Sequence, residues 1–483
     1  MPQGATVAGD TSRRHLPLID FSWADPDDWN FTPCNFANGA AHNSSNITRP
    51  LFTGPRLTPE GPDHIVLAKK PEVPFMSDAE AAPTARFVFT DEMVQDPYPA
   101  YRRFLETAQI HPTSYGGGGW AVFRHADCSS LIRDPRLSAR RAGAMLRVLP
   151  SGRQAEFAEL AHMLGMGLLF LDAPEHSRLR KLMNKGFSPA VVEGLRTHIQ
   201  AIVDRMLEPM RHVSEADILR EIAHPLPVRV IAEMLGVPET LHDHFIKLSD
   251  AIAVFFGNPQ RTVEQTKSAL AAVIELTEFF RGAVVERRQQ KGNDLISLLL
   301  DIEEDGQVLT EEELYAQCVG LLFAGHETTR NLIGNGMYTL LRHPEEMAEL
   351  REDPEVIRTA VEELLRFESP VQFTGRVSKE EMEICGVRVC RGQAILFMLG
   401  AANRDPRQFK DPDRLNLRRL NNPHVAFGAG AHFCIGNQLA RLEGQIAILG
   451  LVQQFPRMRL AEQRIEWAPN FGLRGLKKLP VMV

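Results

Sequence analysis

The ten residues "FGAGAHFCIG" (427–436) place one cysteine among three glycines. The segment that follows, "NQLARLEGQIAILGLVQQF" (437–455), carries its leucines and isoleucines at helical spacing, which predicts a helix with one buried stripe. Cys434 is therefore expected just ahead of a helix N-terminus, where free backbone amides and the positive end of the helix dipole favour an anion. Glycines at 428, 430 and 436 allow a tight turn with amides directed at the sulfur. The stretch predicts a cysteine held as a thiolate.

The surroundings of this cysteine restrict what it can bind. A structural zinc site needs several cysteines or histidines at short spacing, and only His432 lies near Cys434. A single thiolate in a glycine-rich loop instead suits the axial position of an iron that already has four ligands. We therefore expect the metal to be the iron of a haem.

Length and composition are those of a globular protein. The chain has 483 residues, of which 44% are hydrophobic and 24% charged, and its net charge of −7 argues against a nucleic-acid-binding surface. No apolar run reaches the roughly 18 residues of a membrane span, and the start has no signal-peptide pattern. Six scattered cysteines are too few for a disulfide framework. A cytoplasmic protein is the expectation.

The pattern along the chain changes near residue 85. Residues 1–85 are rich in Pro, Asn and Gly without a helical period, which predicts an N-terminal extension that is mostly irregular. From residue 86 the pattern is mainly helical, with short strands expected within 115–125 and 380–399. We expect a mainly α fold with small β-sheets.

The longest helix is predicted from a capping box. Thr310 is followed three residues later by Glu313, and Pro344 ends the pattern. The middle of this helix, "CVGLLFAG" (318–325), is apolar on every face. The helix must therefore cross the interior of the molecule.

The segment "GHETT" brings an acid and two alcohols into that interior. One interpretation is structural: Thr328 and Thr329 bond back to carbonyls one turn earlier, and Glu327 extends outward to solvent. The small pair Ala324 and Gly325 favours another interpretation, because a mid-helix glycine costs about 1 kcal/mol and indicates a close approach to the backbone. A bulky flat ligand against this turn would explain it.

Several segments together resemble the cytochromes P450. "FGAGAHFCIG" is similar to the haem-binding signature of that family, and "AGHETT" (324–329) to its oxygen-activation motif. "EELLRFESPVQFTGR" (362–376) resembles its Glu-x-x-Arg helix, and "DAPEHSRLRKLMNKGFSP" (172–189) its haem-contacting helix. "NRDPRQFKDPDRLNLRRLNNPHVAFG" (403–428) resembles the meander before the cysteine. Order and spacing agree with soluble bacterial members from about residue 88 onward, which implies a cytochrome P450 haem domain over 86–483.

The resemblance implies roles for individual residues. Cys434 would bind the iron of haem b, and Glu327 and Thr328 would relay protons. The propionates would be met by four basic side chains: His176, Arg180, Arg376 and His432. Further haem contacts would come from Ala324, Gly325, Phe427 and Gly436.

A second group of residues would have a structural role. Glu363 and Arg366 lie three apart on a helical face, a spacing that by itself is typical of an exposed ion pair worth little. In the family such a pair is buried and completed by an arginine of the meander, which Arg419 matches best, with Arg418 adjacent. This cluster would brace the cysteine loop.

The family register also implies a substrate pocket. Its residues are mostly apolar, which fits a lipophilic substrate. They are Gly320, Phe323, Val371, Gln372, Phe373, Thr374, Phe471, Gly472 and Leu473. Residues 138–170 are expected to include a variable loop over the pocket.

The implied activity is insertion of one oxygen atom from O2 into a small lipophilic molecule, by hydroxylation or epoxidation. Electrons would come from a separate ferredoxin and ferredoxin reductase, since no flavin or iron–sulfur motif is present. A basic face of Arg178, Lys181, Lys185 and Arg441 could dock the ferredoxin, although a solvated set of charges explains it equally well. Alternatives are a peroxide-driven peroxygenase, an oxidative coupling enzyme and a haem sensor without turnover. A monomer is expected.

Overall fold

Helices make up most of the molecule. The computed structural model describes residues 85–302, 308–461 and 464–483. Within these ranges the α-helices are α1 Asp91–Gln95, α2 Tyr98–Thr107, α3 His125–Leu131, α4 Ala142–Met145, α5 Ala158–Gly165, α6 Glu175–Gly186, α7 Pro189–Gly194, α8 Arg196–Leu207, α9 Pro225–Met234, α10 His242–Gly257, α11 Val263–Gln289, α12 Leu295–Asp301, α13 Glu311–Arg342, α14 Pro344–Glu352, α15 Ile357–Phe367, α16 Leu399–Ala402 and α17 Asn437–Gln454.

Short strands form three small sheets. They are β1 Ile110–Thr113, β2 Gly119–Val122, β3 Leu137–Ser138, β4 Glu215–Asp217, β5 Thr374–Ser378, β6 Met382–Ile384, β7 Val387–Val389, β8 Ala394–Phe397, β9 Arg459–Leu460 and β10 Pro480–Met482. The largest sheet has the order β1-β2-β8-β5-β3 and is antiparallel except for the β2–β8 pair. The others are β4-β10-β9 and the hairpin β6-β7. The prediction of a mainly α fold with small sheets is confirmed.

The central helix α13 confirms the prediction made from its capping box. The Thr310 hydroxyl accepts from the Glu313 N–H (3.2 Å), and the Glu313 carboxylate accepts from the Thr310 N–H (2.9 Å). The helix packs against α9, α10, α11 and α17, and most of its side chains are buried. Its core neighbours hold it in one position, so its side chains can present chemistry at fixed places.

Two other predicted elements are also present. Helix α17 begins three residues after Cys434, and the segment 380–399 forms the hairpin β6-β7 followed by β8. Gly386 and Gly392 take φ values of 77° and 82°, which only glycine adopts freely. Residues 138–170, which are expected to include a variable loop, contain α4 and α5, and the position of that loop over a pocket stays a prediction.

The N-terminal extension predicted for residues 1–85 lies outside the described residues except for Ala85, so its boundary stays a prediction. In the described part of the chain, no helix is both long and apolar enough to cross a bilayer.

Candidate functional site

The cysteine loop turns sharply before α17. The Cys434 N–H donates to the Phe427 carbonyl (3.0 Å), which closes the loop on itself. Gly428 and Gly430 both have φ of 70°, a conformation that a side chain would strain, whereas Gly436 has an ordinary φ of −82°. Two of the three positions therefore need glycine for their backbone conformation, whereas Gly436 matches the sequence argument through its N–H, which is directed at the sulfur.

Burial dominates the electrostatics of the cysteine. It raises the pKa of Cys434, and the Gly436 N–H and the charges of Arg180 and Arg441 lower it by less. Without a metal, burial therefore opposes the thiolate form that the helix N-terminus favours. A coordinated metal ion deprotonates a thiol outright, so the thiolate belongs to the metal-bound state.

Four basic side chains from distant parts of the chain meet beside this loop. The rings of His176 and His432 lie 4.0 Å apart between centroids. Burial, with the charges of Arg376, His176 and Arg141, lowers the pKa of His432 to about 3. Burial likewise lowers the pKa of Arg376 to about 10 and that of Arg141 to about 9, the latter with help from the Arg376 charge. Asp172 is the acid that acts on this cluster.

The cluster fits a ligand with more than one carboxylate. Its buried cations repel each other, and the buried Nε2 of His176 has no hydrogen-bond partner among the described residues. Two carboxylates would relieve both conditions, because buried cations need anionic partners. The propionates of a haem meet this requirement. Sequence analysis missed Arg141, since its proximity to Arg376 and His432 arises only in the tertiary structure.

Arg180 lies one turn after His176 on α6, and its charge acts on both His176 and Cys434. Its Nε donates to Asn184 Oδ1 (3.0 Å), one turn further along the helix. The structure therefore brings His176, Arg376 and His432 together, with Arg180 near both His176 and the cysteine.

Small residues leave one stripe of α13 accessible in an otherwise buried helix. Gly320, Ala324 and Thr328 follow each other at intervals of four and are not buried, unlike most neighbouring positions. The Thr328 hydroxyl donates to the Ala324 carbonyl (2.7 Å), so the backbone bond considered for this threonine exists. A Cβ on Gly325 would meet Ile231 at an ordinary 3.7 Å, and thus Gly325 faces α9.

Glu327 is buried next to this stripe. It is 5% exposed, and its Oε1 accepts from Arg330 Nη1 (2.7 Å) and Asn331 Nδ2 (3.1 Å). The interpretation in which Glu327 extends to solvent is therefore wrong. Burial raises its pKa, although Arg330 and Asn331 oppose the shift. A carboxyl in this setting can exchange a proton nearer to neutral pH than an ordinary glutamate can.

In the Glu363 cluster, Glu363 and Arg366 are fully buried and Arg419 is 11% exposed. Arg366 donates to both carboxylate oxygens (2.8 Å each), and Arg419 Nε donates to Oε2 (3.0 Å). Arg418, the adjacent alternative, pairs at the surface with Glu349 and Asp353. Arg419 thus completes the buried cluster.

Aromatic rings from three elements stack beside the accessible stripe of α13. Phe323 stacks on Phe256 of α10 (4.5 Å between centroids), and Phe256 stacks on Phe170 (5.7 Å). Phe256 was not predicted, because no motif marks it. Phe373 and Phe471 belong to a neighbouring aromatic group, with centroids 6.4 Å apart.

The backbone around four further residues of the predicted pocket forms a frame of paired segments. Val371 and Leu473 pair as an isolated antiparallel bridge, and Thr374 begins β5. The Gly472 N–H donates to the Gly257 carbonyl (2.9 Å), which ties this frame to the end of α10.

Gln372 is set apart from the other pocket residues. Its side chain is 1% exposed, accepts from the Tyr101 hydroxyl (2.7 Å) and donates to the Ser369 carbonyl (2.7 Å). Those bonds direct the amide into the protein wall.

The four cations of the predicted docking face differ in exposure. Arg178 pairs with Glu313, and Arg441 Nε donates to Glu362 (2.6 Å). Lys181 and Lys185 of α6 are exposed.

Taken together, a cysteine loop before a helix, a buried basic cluster and a long helix carrying an acid and an alcohol define a haem-thiolate protein. The protein-family model described as Cytochrome P450 matches residues 224–472 of this chain. The chain is 36% identical over 396 residues to the biotin biosynthesis cytochrome P450 of Bacillus subtilis, covering 81% of this chain and 97% of that protein. It is 38% identical over 398 residues to the cytochrome P450 monooxygenase PikC of Streptomyces venezuelae, covering 81% and 92%.

Solved structures agree. The crystal structure of P450BioI in complex with hexadec-9Z-enoic acid-ligated acyl carrier protein superposes with a TM-score of 0.76, at 36% identity, over 81% of this chain and 100% of that one. The chain belongs to the cytochrome P450 family. It has the cytochrome P450 fold, its cofactor is haem, and it is a monooxygenase of the bacterial type that acts on lipophilic substrates.

Proposed function

We propose that this chain hydroxylates or epoxidises a lipophilic small molecule with O2, using electrons from a separate ferredoxin and its reductase. The observation that carries the proposal is the buried acid Glu327 directly beside Thr328 on the accessible stripe of α13. A haem sensor without turnover has no use for this pair, and peroxide-driven relatives generally lack it.

The residues around the basic cluster would hold the haem. Cys434 would bind the iron, while His176, Arg376, His432 and the newly found Arg141 would meet the propionates. Arg180 would lie near both the sulfur and the propionates, because its charge acts on Cys434 and on His176. When bound, the haem supplies a thiolate-ligated iron that activates O2.

Other haem contacts would come from positions around the ring. Ala324 presents an accessible small side chain from α13, and Phe427 closes the cysteine loop through its carbonyl. Gly436 would place its N–H near the sulfur. Gly325 would serve through the close packing of α13 on α9, since its own Cβ position faces Ile231.

Proton delivery would run through two neighbouring side chains. Burial raises the pKa of Glu327, so its carboxyl can take up and release a proton at a pH nearer neutrality than an ordinary glutamate can. Thr328 keeps its hydroxyl oriented through the Ala324 carbonyl, and its oxygen retains lone pairs that can accept a further hydrogen bond. The pair can therefore pass protons inward while excluding bulk water.

The substrate would lie against the stacked rings of Phe170, Phe256 and Phe323. This surface offers flat apolar contacts from three elements, a pattern typical of lipophilic ligands. A fatty acyl chain is the first class to screen, since a relative was solved with such a group on its carrier protein.

Electron transfer would use the exposed lysines of α6. The side chains of Arg178 and Arg441 are 25% and 23% exposed, whereas Lys181 and Lys185 are the exposed members of the predicted docking face. Reversing both charges should raise the KM for ferredoxin and leave substrate binding unchanged.

The test compares Thr328→Ala with Thr329→Ala. Thr329 is the matched control, because it is the next residue but is buried in the core at 3% exposure. With reductase, ferredoxin and a substrate chosen by haem spin-state shift, Thr328→Ala should still consume O2 but release mostly hydrogen peroxide. Positioned proton donors contribute about 10²–10⁴-fold, so product per electron should fall at least about tenfold.

Two results would contradict the proposal. Equal coupling in the two threonine variants would remove the role of Thr328. A Cys434→Ser variant that kept the ferrous–CO spectrum of the parent would remove the assignment of Cys434 as iron ligand.

A further inference from the structure

Two histidines and an aspartate from three separate elements converge behind Glu327. They are His224, which immediately precedes α9, Asp250 of α10 and His326 of α13. His224 Nε2 lies 3.9 Å from Asp250 Oδ2, and His326 Nδ1 lies 3.9 Å from Asp250 Oδ1. One ligand atom from each residue lies within 4.8 Å of those of the other two. Within the described ranges, this is the one group of three or more potential ligands.

We propose that His224, Asp250 and His326 bind a divalent transition-metal ion of the zinc type. Two imidazoles and a carboxylate are a ligand set that zinc accepts, with a water as the fourth ligand. The two carboxylate oxygens of Asp250 each face one imidazole nitrogen, at distances too long for hydrogen bonds. An ion placed among the three groups would engage all of them.

The geometry requires only small movements. Ligands bound to zinc at about 2.0–2.2 Å lie roughly 3.3–3.6 Å apart, so each side chain must shift by about 1 Å or less. Asp250 is 44% exposed and His224 26% exposed, and both can move. His326 is fully buried, and its Nδ1 lies 3.0 Å from the Ser249 hydroxyl, which the ion would replace.

The charge environment also suits a cation. Burial lowers the pKa of His224 to about 4 and that of His326 well below its usual range, so both rings are neutral at pH 7 and available as ligands. Arg330 is the opposing feature, because its charge reaches both histidines. Its guanidinium is already paired with Glu327 (2.7 Å), which reduces that opposition.

The binding test uses the haem-loaded full chain after treatment with a chelator, and Zn²⁺ as the probe. Zn²⁺ bound per chain is measured by equilibrium dialysis and by calorimetry. Asp250→Asn keeps the size of a half-exposed side chain, and His224→Ala removes a second ligand. His244→Ala is the control, because His244 also lies on α10 but forms an exposed pair with Glu275 alone.

We expect the parent and His244→Ala to bind one equivalent more tightly, by at least about tenfold, than Asp250→Asn and His224→Ala. Circular dichroism and the haem absorption band establish that each variant is folded. Zn²⁺ binding that is equal in all four proteins, or absent from the parent, would overturn the site.

Discussion

The adjacent arginines 418 and 419 allow a direct test of the buried Glu363 cluster. Replacing either with methionine removes one guanidinium from neighbouring positions of the same segment. Arg418 is 52% exposed and pairs with acids that are themselves 36% and 44% exposed. Arg419 is 11% exposed and donates to a carboxylate that is fully buried. The two variants therefore differ in burial far more than in chemistry.

The expected cost follows from what each carboxylate retains. In Arg419→Met, Glu363 loses a charge-assisted hydrogen bond, worth about 1.5–3 kcal/mol, and keeps both bonds from Arg366. Arg419 also donates to the Lys410 carbonyl (2.9 Å), which adds about 1 kcal/mol. We expect a loss of roughly 2–4 kcal/mol. Exposed pairs contribute about 0–1 kcal/mol, so Arg418→Met should cost under about 1 kcal/mol.

Glu363→Gln should cause the largest loss of stability in this series. It leaves Arg366 buried without a carboxylate, and breaking a buried pair in this way costs about 3–5 kcal/mol. Arg366 also donates to the Asn403 carbonyl (2.9 Å), and Asn403 Oδ1 accepts from the Val425 N–H (2.8 Å), two residues before the cysteine loop. Damage to the cluster should therefore also reduce haem retention.

Urea unfolding followed by far-ultraviolet circular dichroism gives the order of stability, and the haem absorption band reports retention. The expected order of loss is Glu363→Gln, then Arg419→Met, then Arg418→Met, with haem retained only in the last. Equal midpoints for the two arginine variants would refute the argument that burial decides the worth of these pairs.

Further predictions concern buried carboxyls and strand packing. Hydrogen bonds from two basic neighbours outweigh burial and lower the pKa of Glu362 to about 2, so its stabilisation is complete above pH 4.5 and disappears as the pH falls to about 2. Glu362→Gln should cost roughly 2 kcal/mol at pH 7 and converge with the parent in acid, as thermal unfolding would show. Burial raises the pKa of Glu443 to about 8, so the parent loses stability as the pH rises from 4.5 to 8. The stability of Glu443→Gln relative to the parent should therefore increase over that range, and a difference that stays constant with pH would contradict this. A Cβ at Gly119 would lie 2.1 Å from the Ala394 carbonyl oxygen, so Gly119→Ala should destabilise by about 1–3 kcal/mol. Gly282→Ala, with nothing within 4 Å at an exposed position of α11, should stabilise by about 0.5–1 kcal/mol in the same assay.

Local signals in the sequence were sufficient to predict the elements that carry the site. The Thr310–Glu313 capping box and Pro344 define α13 within a residue or two, because caps and breakers act on neighbouring residues. The positive φ of the loop glycines at 428 and 430 could be predicted for the same reason. Such features depend on the chain within a few residues and can be read without a tertiary structure.

Contacts between distant segments could not be predicted in this way. Arg141 joins Arg376 and His432 across more than half of the described chain, and nothing near residue 141 indicates this. The extent of burial could not be predicted from the sequence either. Burial raises the pKa of Cys434, which opposes the helix-terminus effect that the sequence suggested. The strength of desolvation depends on every element packed around a group, so it emerges only when the fold is complete.

Helix geometry explains why three consecutive residues of α13 have different surroundings. Successive side chains point about 100° apart around the axis. His326 therefore faces Ser249 of α10, Thr328 lies on the accessible stripe, and Glu327 lies between these directions with Arg330 and Asn331. Under the proposed function, the carboxyl of Glu327 would thus lie between the hydroxyl of Thr328, to which it would pass protons, and the polar surroundings of His326.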